Sequence, residues 1–197
     1  MAAIRSFVAV ELGDEVKGRL AEIQRQLKAA VPSGSVRWVQ PDSIHLTLKF
    51  LGDVPEERIR AIVAALEREC VPVAPLTFAV AGAGCFPNAR RPNVVWVGVE
   101  DSTGQLLALQ QAVERALNPL GYPPEGRPFK PHLTLGRVNR NASGADLRKV
   151  GDLVGGLHVA QLGQVRVAEI VLMRSDLSPA GARYTPLAHI PLGGAGT

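Results

Sequence analysis

The amino-acid sequence predicts a mixed α/β fold built from one unit used twice, with two lobes facing each other across a shared cleft. Three observations lead there. Segments of period 2 and of period 3.6 alternate along the chain, the marks of strands and of amphipathic helices. A strand–helix–strand run occurs once in each half, and each run reaches the same tetrapeptide, His-Leu-Thr-Leu, at residues 45–48 and 132–135. The spacing repeats as well: Glu11, ending a strand, precedes His45 by 34 residues, and Glu100, ending another, precedes His132 by 32. Two copies at so long a period indicate duplication rather than a solenoid.

Each element has its own signal. Ser6-Phe7-Val8-Ala9-Val10 is a strand rich in β formers. From Asp14 to Ala30, Val16, Leu20, Ile23 and Leu27 recur at helical spacing, with Asp14 and Glu15 in the first turn. Val36 to Val39 and Ile44 to Leu51 are strands separated by the turn formers Pro41-Asp42-Ser43. A helix opens at Pro55-Glu56-Glu57, its apolar face carried by Ile59, Ile62, Val63 and Leu66. Leu76 to Ala81 is the next strand. The pattern then restarts with a strand at Val94–Glu100 and a helix marked by Leu106, Leu109, Val113 and Leu117. Four prolines (123, 124, 128 and 131) punctuate a connection into the strand His132 to Val138. A helix over Ala145 to Val154 and strands at Val165–Met173 and Tyr184–Ile190 complete the chain.

Composition narrows the class. The 197 residues, 46% hydrophobic and 20% charged, suit one compact unit or two small lobes sharing a core. No apolar run approaches the ~20 residues of a membrane span, and Arg5 stands where a secretory signal would be apolar. A cytoplasmic protein is expected. Cys70 and Cys85 form neither a C-x-x-C pair nor a disulfide framework. A net charge of +4 and a pI near 9.4 tilt mildly toward anionic partners.

The chemistry lies in the repeated tetrapeptide. On a strand, residues two apart share a face, so each copy shows His and Thr on one face and two Leu on the other. With six threonines in the chain, two of only four histidines heading this pattern by accident is on the order of 3 in 10,000. An imidazole titrates near neutrality, so two can take and give a proton in one reaction. Hydroxyls beside them can donate to non-bridging phosphate oxygens. His45, His132, Thr47 and Thr134 therefore suit metal-free phosphoryl chemistry. Other readings are structural histidines, or a zinc site, which wants three or four ligands where H-x-T supplies one His per strand. The identical motifs leave open which imidazole is the acid. No cofactor or metal is expected.

The residues around these motifs resemble the 2H phosphoesterase superfamily, and within it the LigT-like RNA 2′,3′-cyclic phosphodiesterases, also called the 2′,5′ RNA ligase family. The likeness runs over Arg5–Ala9, Val36–Val39, Ile44–Gly52, Phe86-Pro87, Val95–Val99, Phe129–Arg137 and the tail from Ser175 to Tyr184. It implies a bilobal α+β fold, a single domain over residues 1–197, with two antiparallel sheets around a central cleft. It implies hydrolysis of RNA 2′,3′-cyclic phosphate ends to 2′-phosphates, with reverse 2′,5′ ligation. By resemblance His45 is the proton donor to O3′ and His132 the acceptor that activates water. Thr47 and Thr134 hold phosphate oxygens. Lys130 and Arg137 bracket the second motif as candidate substrate-binding cations. Strand parity favours Lys49 as a third and counts against Arg137, which has the parity opposite to His132 and Thr134. Arg37, Tyr184 and His189 are weaker candidates, and His158 and His189 are expected at the surface or in structural roles. Partners are RNA or oligonucleotide ends, with no membrane, and a monomer is expected. A sister enzyme acting on another small cyclic phosphate, or a non-catalytic RNA-binding module, are the alternatives.

Overall fold

The computed structural model describes residues 3–178 and 181–193; the first two residues of the N-terminal stretch read for charge, and the last four of the chain, lie outside them. In order, the elements are β1 (Ala3–Glu11), α1 (Asp14–Ala30), β2 (Val36–Trp38), β3 (His45–Pro55), α2 (Ile59–Cys70), β4 (Leu76–Phe86) and β5 (Val94–Glu100). After them come α3 (Gln105–Leu117), β6 (His132–Val138), α4 (Gly144–Gly155), β7 (Gly163–Val167), β8 (Glu169–Ser178) and β9 (Gly181–Pro191). Among the described residues no helix is long and apolar enough to cross a membrane.

All strand pairs are antiparallel, in the order β7-β4-β5-β6-β3-β1-β8-β9, with the short β2 beside β6. Where two sheets were expected, the strands form one nine-stranded sheet, whose halves, β7-β4-β5-β6 and β3-β1-β8-β9, join at a single register pair, Leu46 opposite Leu133. The duplication is exact in register. Shifting by 87 residues (132 − 45) carries the ladder Phe7–Phe50, Val8–Lys49, Ala9–Thr47, Val10–Leu46, Glu11–His45 onto Val94–Arg137, Val95–Gly136, Trp96–Thr134, Val97–Leu133, Gly98–His132. Leu46 and Leu133 are themselves one shift apart, so a pseudo-twofold axis passes between them. The structural counterpart of Glu11 is thus Gly98 rather than Glu100, and the interval from ladder partner to His is 34 residues in both copies.

Each half also lends a strand to the other. β4 pairs with β5, whereas β8 pairs with β1, and Phe7–Met173 and Ala9–Val171 map onto Val94–Phe86 and Trp96–Gly84 under the same shift. This exchange explains one departure from the sequence reading. The segment expected as a single strand at Val165–Met173 divides at Ala168, because β7 belongs to the half of the sheet that holds β4 and β8 to the half that holds β1. Both pieces are apolar strand formers, so periodicity does not mark the crossing.

The helices cover the face of the sheet that carries the motif leucines. Leu46, Leu48, Leu133 and Leu135 are 0–3% exposed and join one core with Val16, Leu20 and Leu27 of α1 and Ile62 and Leu66 of α2. Each such Leu contributes about 1.5–3 kcal/mol of burial, an upper bound because the unfolded chain is already partly compact. Two helix details differ from expectation. In α1 Gln24 is buried alongside Val16, Leu20 and Leu27, with Ile23 only half-buried, because the Gln24 amide donates to the carbonyls of Val39 (2.7 Å) and Leu135 (2.8 Å) and ties β6 to the segment after β2. The helix expected from Pro55 begins at Ile59, after β3 has run on to Pro55 and a 3-10 turn at Glu56–Arg58.

Candidate active site

The alternation of the motifs is realised as read. Leu46, Leu48, Leu133 and Leu135 are buried, whereas His45, Thr47, His132 and Thr134 are half-buried on the opposite face, around the pseudo-twofold axis. The two imidazoles are held alike. His45 Nδ1 lies 2.9 Å from the Ser43 carbonyl oxygen, and His132 Nδ1 lies 2.8 Å from that of Lys130. A carbonyl can only accept, so Nδ1 carries the hydrogen in both rings and Nε2 is the nitrogen that exchanges protons.

Their surroundings differ. Phe7 stacks on His45 at 4.7 Å between centroids, and Tyr184 meets it edge-on at 5.0 Å. His132 is met edge-on by Phe86 at 4.8 Å. Burial disfavours the charged rings and holds both below the ordinary imidazole value. For His45 the positive charge of His132 pushes further the same way, while its bond to the Ser43 carbonyl opposes. For His132 the added push is the Arg137 guanidinium, opposed by the Lys130 carbonyl.

Each motif is followed at once by a β-bulge, which corrects the strand-parity argument. Ladder pairing passes from Ala9–Thr47 to Val8–Lys49, and from Trp96–Thr134 to Val95–Gly136, leaving Leu48 and Leu135 as the extra residues. Beyond the bulge the faces exchange. Lys49, expected to bind substrate, turns onto the core face, where it is 2% exposed, ion-paired with Glu114 of α3 and donating to the Pro123 carbonyl (2.8 Å). Its counterpart is Gly136, where a Cβ would lie 2.7 Å from Val36 and 3.1 Å from the Trp38 ring, so β2 fills the space the lysine takes in the other copy. Arg137, which simple alternation placed on the wrong face, joins His132 and Thr134, and its charge acts on both His132 and Tyr184. Phe50, the counterpart of Arg137, stands 56% exposed on the same face.

A cavity of about 1160 Å³ opens beside the axis, lined by Thr47, Phe50, Phe86, Phe129, Lys130 and His132 among others, with the Lys49–Glu114 pair at its wall. Lys130 is exposed there. Sequence reasoning did not single out Phe7 or Phe86, the rings that pack on the two histidines. Both stand inside the segments that carried the family resemblance, but no rule of spacing marks an aromatic as a neighbour of a distant strand.

Among the described residues, the one group of three side chains suited to hold a metal is Glu11, Glu169 and His189, all exposed, with donor atoms within 4.8 Å of one another. His189 there bonds Glu169 at 2.9 Å. Neither motif histidine belongs to it. Burial pushes the Cys70 and Cys85 thiols up to about 12 and about 11, which disfavours the thiolate a nucleophile needs.

Comparison with known proteins decides the family. The model for LigT-like phosphoesterases matches the chain twice, over residues 10–96 and 97–184. The chain belongs to the LigT-like phosphoesterases. The two matches begin 87 residues apart (97 − 10), the same shift that relates the ladders. Relatives of this LigT-like chain include the RNA 2′,3′-cyclic phosphodiesterases of Methanothermobacter thermautotrophicus, 38% identical over 93% of this chain and 96% of that protein, and of Archaeoglobus fulgidus, 34% identical over 93% and 98%. Among solved structures, a Thermus thermophilus protein matches with a TM-score of 0.80 at 30% identity, covering 98% of this chain and 100% of that one. LigT of E. coli matches at 0.75 and 26%, covering 98% and 99%. The bilobal α+β fold that the family resemblance implies is shared with these LigT-like neighbours.

Proposed function

We propose that this LigT-like phosphoesterase opens RNA 2′,3′-cyclic phosphate ends to 2′-phosphates by proton exchange through His45 and His132. The observation that carries the reading is the symmetry of the site: two imidazoles, each with Nδ1 pinned by a carbonyl and each with a threonine two residues on, flank one pseudo-twofold axis. The names of relatives that span nearly the whole chain support the substrate class.

In this scheme His132 Nε2 takes a proton from water as the water oxygen bonds to phosphorus. The P–O3′ bond breaks, and His45, protonated at Nε2, gives its proton to O3′. The products are a free 3′-hydroxyl and a 2′-phosphomonoester, with the proton now on His132, and exchange with solvent resets the pair. Thr47 and Thr134 donate to the non-bridging oxygens, where charge accumulates. Lys130 and Arg137 supply positive potential for the anion. With a ribose 5′-hydroxyl in place of water, the same step forms a 2′,5′ linkage. Both histidines come from one chain, so the two halves act as a single unit and a monomer suffices. No step uses a metal.

A dinucleotide ending in a 2′,3′-cyclic phosphate, incubated with the protein after exhaustive chelation, tests the reading. Ring opening to the 2′-phosphate at an unchanged rate is expected. Activity that chelation abolishes and zinc or magnesium restores would overturn the metal-free scheme. Turnover of a 3′,5′-cyclic nucleotide in preference would overturn the substrate.

A further inference from the structure

We propose that Arg37 and Arg137 form a second anion site, which holds the phosphate next to the scissile one along the RNA. The inference rests on the function proposed above and adds the part of the substrate that the reacting groups do not touch.

Arg37 of β2 pairs directly with Arg137 of β6. Residues opposite each other in an antiparallel pair share a face, and here it is the face of His132 and Thr134, because the bulge at Leu135 has turned Arg137 onto it. Two like charges so placed destabilise the pair unless something anionic lies between them. Five arginines have a carboxylate partner among the described residues: Arg19 with Glu15, Arg25 with Glu22, Arg68 and Arg115 with Glu69, and Arg174 with Asp176. Arg37 and Arg137 are exposed and have none among the described residues. Arg5 of β1, in the facing half of the sheet, adds to this field: burial raises the Tyr184 phenol, and the charges of Arg137 and Arg5 oppose that rise.

The pseudo-symmetry makes the pair more telling. The residues one 87-residue shift from Arg37 and Arg137 are Pro124 and Phe50. Past the first motif the cleft therefore presents the exposed Phe50 ring, with Phe129 in the lining of the same cavity, and past the second motif it presents two guanidiniums. A scaffold this symmetric around the reacting centre has specialised its two ends for a ligand that is itself asymmetric. The terminal nucleotide of an RNA is such a ligand, with a base for the aromatic end and a 5′-phosphodiester for the cationic one. The distance is suitable too. With the bulge discounted, Arg137 lies two strand steps beyond Thr134, roughly 7 Å along β6, and Arg37 one strand over, about 4.8 Å away. A guanidinium there meets an anion beside the cyclic phosphate, and its planar fork matches phosphate oxygens.

The test compares kcat/KM for three substrates: adenosine 2′,3′-cyclic phosphate, the same nucleotide carrying a 5′-phosphate, and a dinucleotide ending in the cyclic phosphate. For the wild-type protein, both substrates with a 5′-phosphate group should exceed the plain nucleotide by about tenfold or more, an advantage that shrinks as salt is raised. Arg37→Gln should reduce that ratio by about tenfold, and Arg37→Lys by less. The melting temperature of Arg37→Gln should stay or rise, since a like-charge contact is removed. A ratio unchanged in Arg37→Gln, or an equal loss on all three substrates, would overturn the second site. The plain nucleotide reports on the proposed function itself, because failure of the wild-type protein to open it would sink that reading and not merely this one.

Discussion

Replacing Lys49 by Met asks whether the bulge after the first motif decides which cation faces the substrate. Extended-strand parity makes Lys49 a phosphate ligand, whereas the structure buries it against Glu114, their side chains 2% and 12% exposed. Removing the ammonium leaves the largely buried Glu114 carboxylate with the Gln110 amide, 2.9 Å away, as its one remaining side-chain partner among the described residues. Breaking a buried pair from one side costs about 3–5 kcal/mol. In a chain of this size that lowers the melting temperature by roughly 6–20 °C, at about 2–4 °C per kcal/mol. Glu114→Met should cost a similar amount, since it strands the lysine with the Pro123 carbonyl alone. Replacing both by Met should return stability to within about 2 kcal/mol of wild type, because two apolar chains of similar volume fill the site without a charge to solvate. A double-mutant cycle by chemical denaturation measures the coupling. In parallel, kcat/KM for a cyclic-phosphate dinucleotide, assayed where Lys49→Met is fully folded, should change by less than about threefold. A hundredfold loss of activity at unchanged stability would refute the reasoning and return Lys49 to the substrate.

Two further outcomes follow from the imidazoles. Desolvation lowers both His45 and His132, so the bell of kcat/KM against pH in the free enzyme should centre on the acid side of 6.5, while that of kcat should move up once a phosphate anion lies between the rings. The two limbs belong to the coupled pair rather than to either residue. A kcat/KM bell centred above 7 would show that burial does not dominate. The sign for stability runs the same way. A depressed native value means the unfolded chain binds protons first, so this contribution is whole above about 6.5 and is lost as pH falls through the native values. The roles of the pair are separated by a substrate with sulfur in place of O3′, since a thiolate leaves without a proton. Measured relative to wild type on each substrate, His45→Ala should lose at least about a hundredfold with oxygen and recover with sulfur, and His132→Ala should not recover. Selective rescue of His132→Ala would reverse the assignment.

The sequence by itself determined the strand–helix order, the duplication and the two His-x-Thr faces, because those rest on local periods that a single strand or helix expresses alone. It also carried the family, through residues spread over most of the chain. Only the tertiary structure decided what depends on which strands become neighbours. The break at Ala168 is one case: β7 and β8 read alike, and they part because each finds its hydrogen-bonding partner in a different half of the sheet. The cations are another. A bulge is a mismatch between two strands, so no single strand records it, and the extra residue at Leu48 and again at Leu135 turned Lys49 away from the histidines and Arg137 toward them. The opposition of Arg37 and Arg137 is of the same kind, set by a pairing between residues 100 positions apart (137 − 37). Local sequence sets which way a side chain alternates, but closing the sheet sets where that alternation slips.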